Sequence, residues 1–534
     1  MEWRIISIGA NTIYLPILLD RLGLLFRSVV LFISGNVFMF ANLYIREELY
    51  NNRFLYLVLI FILSINFLIF IPHTIGLLLG WDGLGLVSFV LVIYYQNKKS
   101  LSGGIITALR NRVGDVFLLL RIGWILRQGH WKALFIWDTR FSRIIIIRII
   151  IAAITKRAQI PFSSWLPAAI AAPTPVRALV HSSTLVTAGV FLLIRFYPFL
   201  SRSKEFNKII LVISCLTIFI AGASALVECD IKKIIALSTL RQLGVIMASI
   251  GLGFPILAFF HLITHALFKA LLFICAGTLI HLHHHSQDLR VIGNLIGQLP
   301  ITTTSINIAN IALCGLPFMA GFYSKDLIIE IVIYRNYSVV IIFLFIGATI
   351  ITAAYSIRLV FTGRSCINIG LRIQYIEDNR IDNTTPIILL GTGGITIGSL
   401  INWFFLKPSI EPILTFDIKL LAFLITILGG LFIYFNIHNK SVSCLKISQL
   451  HYINSYIWFL TPISTQIIIS CPLTIAKYNL TIVDQGWGEV IGGQGVFNIF
   501  NNMFLKNQSL QRSIIIGHLS ITIILIGVII LLCL

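Results

Sequence analysis

His261, His265 and Lys269 follow one another at steps of four along a single apolar run, Pro255–Ile280. That spacing lines them along one face of a helix, about 6 Å apart per step, close enough for water to bridge. Histidine titrates near neutrality, and a lysine taken out of water can be drawn towards the same range. A row of such groups could pass protons from one to the next. Two histidines four apart also suit a metal, but no third ligand accompanies them within the run.

Other ionisable residues are embedded in the same manner. A charge inside hydrocarbon costs at least about 2.5 to 3.5 kcal/mol, so each one needs a reason to be there. Asp82 stands in Gly80-Trp81-Asp82-Gly83-Leu84-Gly85, inside the apolar run Ile75–Tyr95. Arg112 and Asp115 are three apart, on one helix face. Lys156 comes just before Pro161, and Lys325 and Asp326 come just after Pro317 and Gly321. Asp230, Lys232 and Lys233 open a helix that runs to about Gly251. His181 lies inside Ala178–Leu193, where a lone histidine also suits a hydrogen-bonded core position. The tract His281, His283, His284 and His285 precedes Asp288 and reads as a solvated loop rather than a metal site. The serines near His181 have no acid beside them in sequence, so no nucleophilic triad is indicated.

The elements that must position these groups are membrane helices. Of 534 residues 57% are hydrophobic and 11% charged, against about 25% charged in a soluble domain. Runs long enough to span a bilayer, about 20 apolar residues, recur from end to end, as in Phe54–Ile71, Ile209–Val227, Val339–Val360 and Ile514–Leu534. Allowing for loops, the sequence predicts about 13 to 15 spans. No basic leader with a cleavage site is evident at the start. The eight cysteines are scattered, with no CxxC pair, so neither a disulfide framework nor an iron–sulfur cluster is indicated. No glycine-rich nucleotide loop is present, which excludes a recognisable site for NADH, FMN or ATP. The net charge of +20 does not point to nucleic acid, because the basic residues are single and embedded in apolar runs.

Along the chain, residues 1–72 read as N-terminal spans and 73–335 as a core rich in embedded polar groups. Residues 336–476 hold further spans, with polar loops at 377–382 and 438–446. Residues 477–534 read as an amphiphilic segment that lies on a surface, followed by a last anchor. Two segments of the core are broken, one through Lys156-Arg157-Ala158-Gln159-Ile160-Pro161 and one through Gly315-Leu316-Pro317. Proline removes a donor and clashes with the preceding turn. Paired broken helices in two halves of a membrane protein point to a transport site between inverted repeats.

In this order, these motifs resemble those of the antiporter-like subunits shared by respiratory complex I and Mrp-type antiporters. They are Gly80 to Gly85, Asn111-Arg112-Val113-Gly114-Asp115, Lys156 to Pro161, Trp165-Leu166-Pro167, Ala172-Pro173-Thr174-Pro175-Val176, His181-Ser182-Ser183-Thr184, Asp230-Ile231-Lys232-Lys233, Thr264-His265-Ala266 to Lys269, and Gly321 to Asp326. The resemblance is strong over 75–335 and weak over 338–476. It returns at Asp484-Gln485-Gly486-Trp487-Gly488-Glu489 and Gly492-Gly493-Gln494, a patch similar to the lateral-helix region of the mitochondrial branch.

The resemblance implies an all-α polytopic fold of two inverted five-helix repeats, each with a discontinuous helix, plus a lateral helix and a terminal anchor. It implies that Asp82 and Lys156 form an ion pair that gates proton uptake. His181, His261 and His265 would make the central axis, Lys269 would pass the charge on, and Lys325 would be the exit lysine with Asp326 beside it. Asp115 and Asp230 would support them. The implied function is a proton-translocating membrane-arm subunit of NADH:ubiquinone oxidoreductase in the inner mitochondrial membrane. Its partners would be other membrane-arm subunits and lipids, with no nucleic acid. This chain would bind no cofactor or metal, and NADH, FMN, iron–sulfur clusters and ubiquinone would be used by other subunits. The alternatives are a Mrp-type cation/proton antiporter subunit and a non-pumping scaffold.

The chain departs from the family pattern in three ways. The family usually has Glu where this chain has Asp82, so the carboxylate is one methylene shorter. The chain also begins near the family's second helix. Finally, Arg110, Arg157, Arg177 and Arg241 fall inside matching motifs where family members usually carry serine. Some mitochondrial codes read AGA and AGG as serine, and the five methionines of this isoleucine-rich chain fit AUA codons read as isoleucine. Serine is therefore expected at these positions of the mature protein, the alternative being genuine arginines that snorkel or pair across helices.

Overall fold

The structure, a computed structural model, describes residues 2–8, 11–46, 48, 50–126, 139–283, 286–293, 295–335, 338–365, 378, 381–405, 412, 414–438, 448–512 and 515–533. It falls into two compact units, Met1–Thr461 and Pro462–Leu534.

The first unit opens on a hairpin that the sequence reading did not anticipate. β1 (Glu2–Ile8) pairs antiparallel with β2 (Asn11–Pro16), with Glu2 opposite Pro16 and Ser7 opposite Thr12. Ile5, Ile6, Ile8, Thr12, Ile13 and Tyr14 are β-branched or aromatic and favour extended backbone. α1 (Arg21–Tyr44) begins where the Asp20 carboxylate accepts the Gly23 N–H at 3.2 Å, an N-cap. α2 (Asn51–Phe70), α3 (Thr74–Val92), α4 (Lys98–Leu126) and α5 (Thr139–Lys156) follow. The helix then breaks after Lys156. The chain resumes in the short α6 (Trp165–Ala168) and in α7 (Thr174–Leu179), which passes through a π-helical turn, Val180–Thr184, into α8 (Leu185–Arg195).

After α9 (Tyr197–Leu200) come α10 (Lys204–Val227), α11 (Ile231–Gly251) and α12 (Pro255–Leu282). The short α13 (Leu295–Gln298) leads to the second break, between α14 (Pro300–Cys314) and α15 (Ala320–Tyr334). α16 (Val339–Ser365), α17 (Ile381–Phe405), α18 (Phe416–His438) and α19 (Ser448–Ser455) complete the first unit, with α20 (Leu460–Asn479) crossing the unit boundary. The second unit continues through a π-helical stretch, Leu480–Trp487, to α21 (Gly488–Ile491), α22 (Gly493–Gln511) and α23 (Ile515–Cys533).

Ten of these helices are long and apolar enough to cross a membrane: α1, α2, α3, α10, α11, α12, α16, α17, α18 and α23. The sequence expectation of about 13 to 15 spans also counted charged and broken segments such as α4, α5, α14 and α15. α12 is the hub of the first unit. Every residue from Leu257 to Ile280 is buried, against α1, α7, α11, α14, α15 and α17. A helix enclosed on all sides needs no polar face, and the apolar run Pro255–Ile280 has none beyond its row of ionisable groups. In α11 every residue but Lys233 is buried.

The second break has its own local logic. Gly315 ends α14 at φ 79°, a left-handed cap that glycine takes without strain. Gly321 opens α15 so close to α14 that a Cβ there would lie 1.8 Å from the Ala312 carbonyl oxygen. At the other end of α14, the Asp378 carboxylate accepts the N–H groups of Ile301 and Thr302 at 2.9 and 3.1 Å. That cap comes from far along the chain.

Candidate functional site

The embedded ionisable residues collect at three places in the first unit. The first lies where α3, α4 and α5 meet. Lys156 is the last residue of α5, the end of a helix that favours a cation. Its Nζ donates to the Trp81 carbonyl oxygen at 2.5 Å and stands 3.8 Å from the centre of the Trp81 ring. The Trp81 indole N–H donates to Asp115 Oδ1 at 2.8 Å. Arg112 Nη1 lies 3.5 Å from Asp115 Oδ2 and 3.9 Å from Asp82 Oδ2. Lys156 and Trp81 are wholly buried, whereas the Arg112 and Asp82 side chains are 54% and 29% exposed. The cluster therefore runs from partly exposed side chains to wholly buried ones.

The second place is the row on α12. His261 contacts Ser324 Oγ of α15 at 2.8 Å through Nδ1 and Gln242 Oε1 of α11 at 3.2 Å through Nε2. Lys269 Nζ donates to Ser238 Oγ of α11 at 2.5 Å. Between them His265 is fully buried, with no hydrogen-bond partner at either ring nitrogen among the described residues. Its ring meets Phe268 edge-on. All three side chains face the protein interior.

The third place is the second break. Lys325 Nζ donates to the carbonyl oxygen of Cys314, the last residue of α14, at 2.7 Å, and to Thr352 Oγ1 of α16 at 3.3 Å. The final carbonyls of a helix have no partner within it, so the break supplies a free acceptor to the lysine. Ser324, next to Lys325, is the residue that holds His261, which joins the second place to the third. On the other side Asp326 lines a cavity of about 420 Å³ with Glu330, Asn402 and Lys419.

Buried arginines lie between these places. Arg157 is in electrostatic range of His265, and Arg241 of His261, Lys269 and Lys325. Among the described residues, all three guanidinium nitrogens of Arg157 lack a partner, as do Nε and Nη1 of both Arg177 and Arg241. Arg177 Nη2 donates to the Ala172 carbonyl and Arg241 Nη2 to that of Ala348. Arg110 is buried near the Phe162 ring.

A membrane interior that holds lysines, histidines and a carboxylate in sequence at two helix breaks is the signature of charge transport. Comparison with known proteins agrees. Residues 72–352 match the family model for the transmembrane region of NADH:quinone oxidoreductase and Mrp antiporters, and residues 355–533 match that for the NADH dehydrogenase subunit 5 C-terminus. NADH-ubiquinone oxidoreductase chain 5 of Lumbricus terrestris is 48% identical over 93% of this chain and 88% of its own length. The chain 5 proteins of Locusta migratoria and Anopheles gambiae are each 44% identical over 96% of this chain and 90% of theirs. The chain belongs to the NADH-ubiquinone oxidoreductase chain 5 family.

Among solved structures, one from the Mrp complex of a Dietzia species superimposes with a TM-score of 0.74. It is 24% identical and covers 92% of this chain and 56% of its own. One from the archaeal membrane-bound sulfane sulfur reductase gives 0.72 at 21% identity, covering 95% and 91%. These show that the chain shares their fold. As a chain 5 member, the protein is a subunit of the proton-translocating NADH:ubiquinone oxidoreductase and part of a larger respiratory membrane complex.

Against this family the expected residues fall as follows. Lys156, His261, His265, Lys269 and Lys325 are buried in the first unit, each beside a polar or ionisable neighbour. Asp82 does not pair with Lys156: its ion-pair partner is Arg112, and the Trp81 carbonyl occupies the lysine. Asp115 is closer to the centre of the first cluster than the sequence suggested. Asp230 stands apart, paired with Lys233 at 3.1 Å at the start of α11. His181 lies in the π-helical turn, and its side chain is outside the described residues, as are His284, His285 and most of the loops at 377–382 and 438–446. Sequence reasoning missed Trp81, Ser238, Gln242, Ser324 and Thr352. Trp81 and Ser324 sat inside the quoted motifs, but nothing in their spacing marked them as hydrogen-bond partners.

Proposed function

We propose that protons cross this subunit along the buried row, entering at Asp82, Arg112 and Asp115 and leaving past Lys325 and Asp326. Lys156 takes the proton from the mouth, and Lys269, His265 and His261 relay it to the second break, which His261 meets through Ser324. His181 belongs to the same axis, and Asp230 supports the start of α11. The observation that carries this reading is the unbroken burial of five titratable side chains between two helix breaks, each break beside a lysine. Moving one charge against 100 mV costs about 2.3 kcal/mol, and no motif for a redox cofactor was found in the sequence. The energy therefore comes from other subunits, which carry NADH, FMN, iron–sulfur clusters and ubiquinone. The chain works in the inner mitochondrial membrane, beside other membrane-arm subunits and lipid.

The test is Lys269→Ala in the assembled complex, with proton uptake measured in sealed vesicles during NADH oxidation. Pumping per NADH oxidised falls severalfold if the row carries protons. Unchanged pumping would remove the relay. The Mrp-type fold favours a second reading, cation/proton antiport, which requires a sodium gradient alone to drive proton movement through the chain. The chain 5 C-terminal match argues for the first.

A further inference from the structure

We propose that Trp81 is the positioning residue through which Asp115 and Lys156 act on each other. The proposal rests on the reading that Lys156 carries protons. Trp81 is wholly buried and touches both groups with different parts of itself. Its indole N–H holds Asp115, its carbonyl accepts the Lys156 ammonium, and its ring lies beneath the same ammonium. Among the described residues neither Asp115 nor Asp82 forms a direct ion pair with Lys156, and Arg112 serves both carboxylates instead. The charged groups around the indole are therefore Asp82 from α3, Arg112 and Asp115 from α4, and Lys156 from α5.

This arrangement has a chemical consequence. A ring face attracts an ammonium and a peptide carbonyl accepts from it, but neither can keep its proton. The carboxylate could keep it, and the indole holds the carboxylate off. The indole N–H itself does not titrate in the working range, so it holds Asp115 in place whether or not Lys156 is protonated. Trp81 thus lets the carboxylate attract the lysine while preventing the direct contact that would trap it.

Trp81→Phe keeps an aromatic face and the backbone carbonyl and removes the N–H together with part of the ring volume. Asp115 then swings towards Lys156 and closes the pair. A hydrogen bond to a charged group contributes about 1.5 to 3 kcal/mol, so pumping is expected to drop about tenfold or more while the complex still assembles. Asp115→Asn removes the charge that does the trapping. In that background Trp81→Phe is expected to change pumping by less than about twofold, the non-additivity of residues acting as a unit. A tryptophan that serves only to fill space would give independent, additive losses, which would overturn the proposal. If Trp81→Phe fails to assemble, Asp115→Glu substitutes for it. The longer carboxylate reaches past the indole, and full pumping in that variant would equally overturn the proposal. Lys156→Gln separates the two readings. Unchanged pumping there removes the role of Lys156 itself, whereas lost pumping with additive Trp81 and Asp115 effects removes only the role of Trp81.

Discussion

At the scale of the residue, burial without a partner is the most informative state in this molecule. Arg157, Arg177 and Arg241 are at most 2% exposed, and each leaves guanidinium nitrogens unpaired among the described residues. An uncompensated buried charge costs several kcal/mol, and a whole domain is stable by only about 5 to 15 kcal/mol. Serine at these positions removes the difficulty. A helical serine satisfies itself on the carbonyl one turn back, as Ser214, Ser238 and Ser249 do. Peptide mass spectrometry of the purified protein across 157–165 is expected to read serine at 157, and trypsin is expected not to cut there. Arginine in that peptide would end the idea. The four-residue steps of His261, His265 and Lys269 were legible because helical periodicity depends on sequence alone. Their partners were not, because Ser238, Gln242 and Ser324 reach α12 from helices whose packing no local pattern specifies.

At the scale of the element, proline and glycine mark both breaks in the sequence, and Gly321 lets α15 begin hard against the end of α14. Gly321→Ala would push its Cβ into the Ala312 carbonyl. It is expected to lower the thermal stability of the complex and to weaken pumping with it. The α14 cap could not be read from sequence, because Asp378 comes from a distant loop. Asp378→Ala is expected to cost about 0.5 to 2 kcal/mol, seen as faster amide exchange at Ile301 and Thr302.

A second loop gives a pH dependence. Asp288 is bound by the Arg290 guanidinium at 2.6 and 3.1 Å, which holds its carboxyl below the usual range. The folded form therefore gains stability above the ordinary carboxylate pKa and loses it as pH falls through the lowered value. Protection of the Leu289 amide, bonded to the Cys229 carbonyl, is expected to fall on acidification over that interval. In Asp288→Asn it is expected to be low already at neutral pH. The hairpin β1–β2 was missed because its isoleucines read equally well as the start of an apolar helix.

At the scale of the whole molecule, the polytopic class followed from composition, whereas the ten continuous spans and the broken ones needed the fold to separate them. Neither α22 nor α23 buries a single residue within its own unit. α22 mixes Phe497, Phe500 and Phe504 with Asn and Gln, and it is not among the helices apolar enough to span. Exposed apolar area of this kind marks a surface that something covers. A photo-crosslinker at Phe497 or Phe500 in native membranes is expected to capture lipid or another subunit, and recovery of uncoupled chain alone would contradict that.

Another consequence concerns heredity. The groups that hold Lys156 and Lys325 include the main-chain oxygens of Trp81 and Cys314, and no codon specifies a carbonyl. A missense change cannot delete either ligand directly. At Lys325 it acts instead through the break that frees the Cys314 carbonyl, and so harmful variation there should gather at Gly315, Pro317 and Gly321 rather than at Cys314.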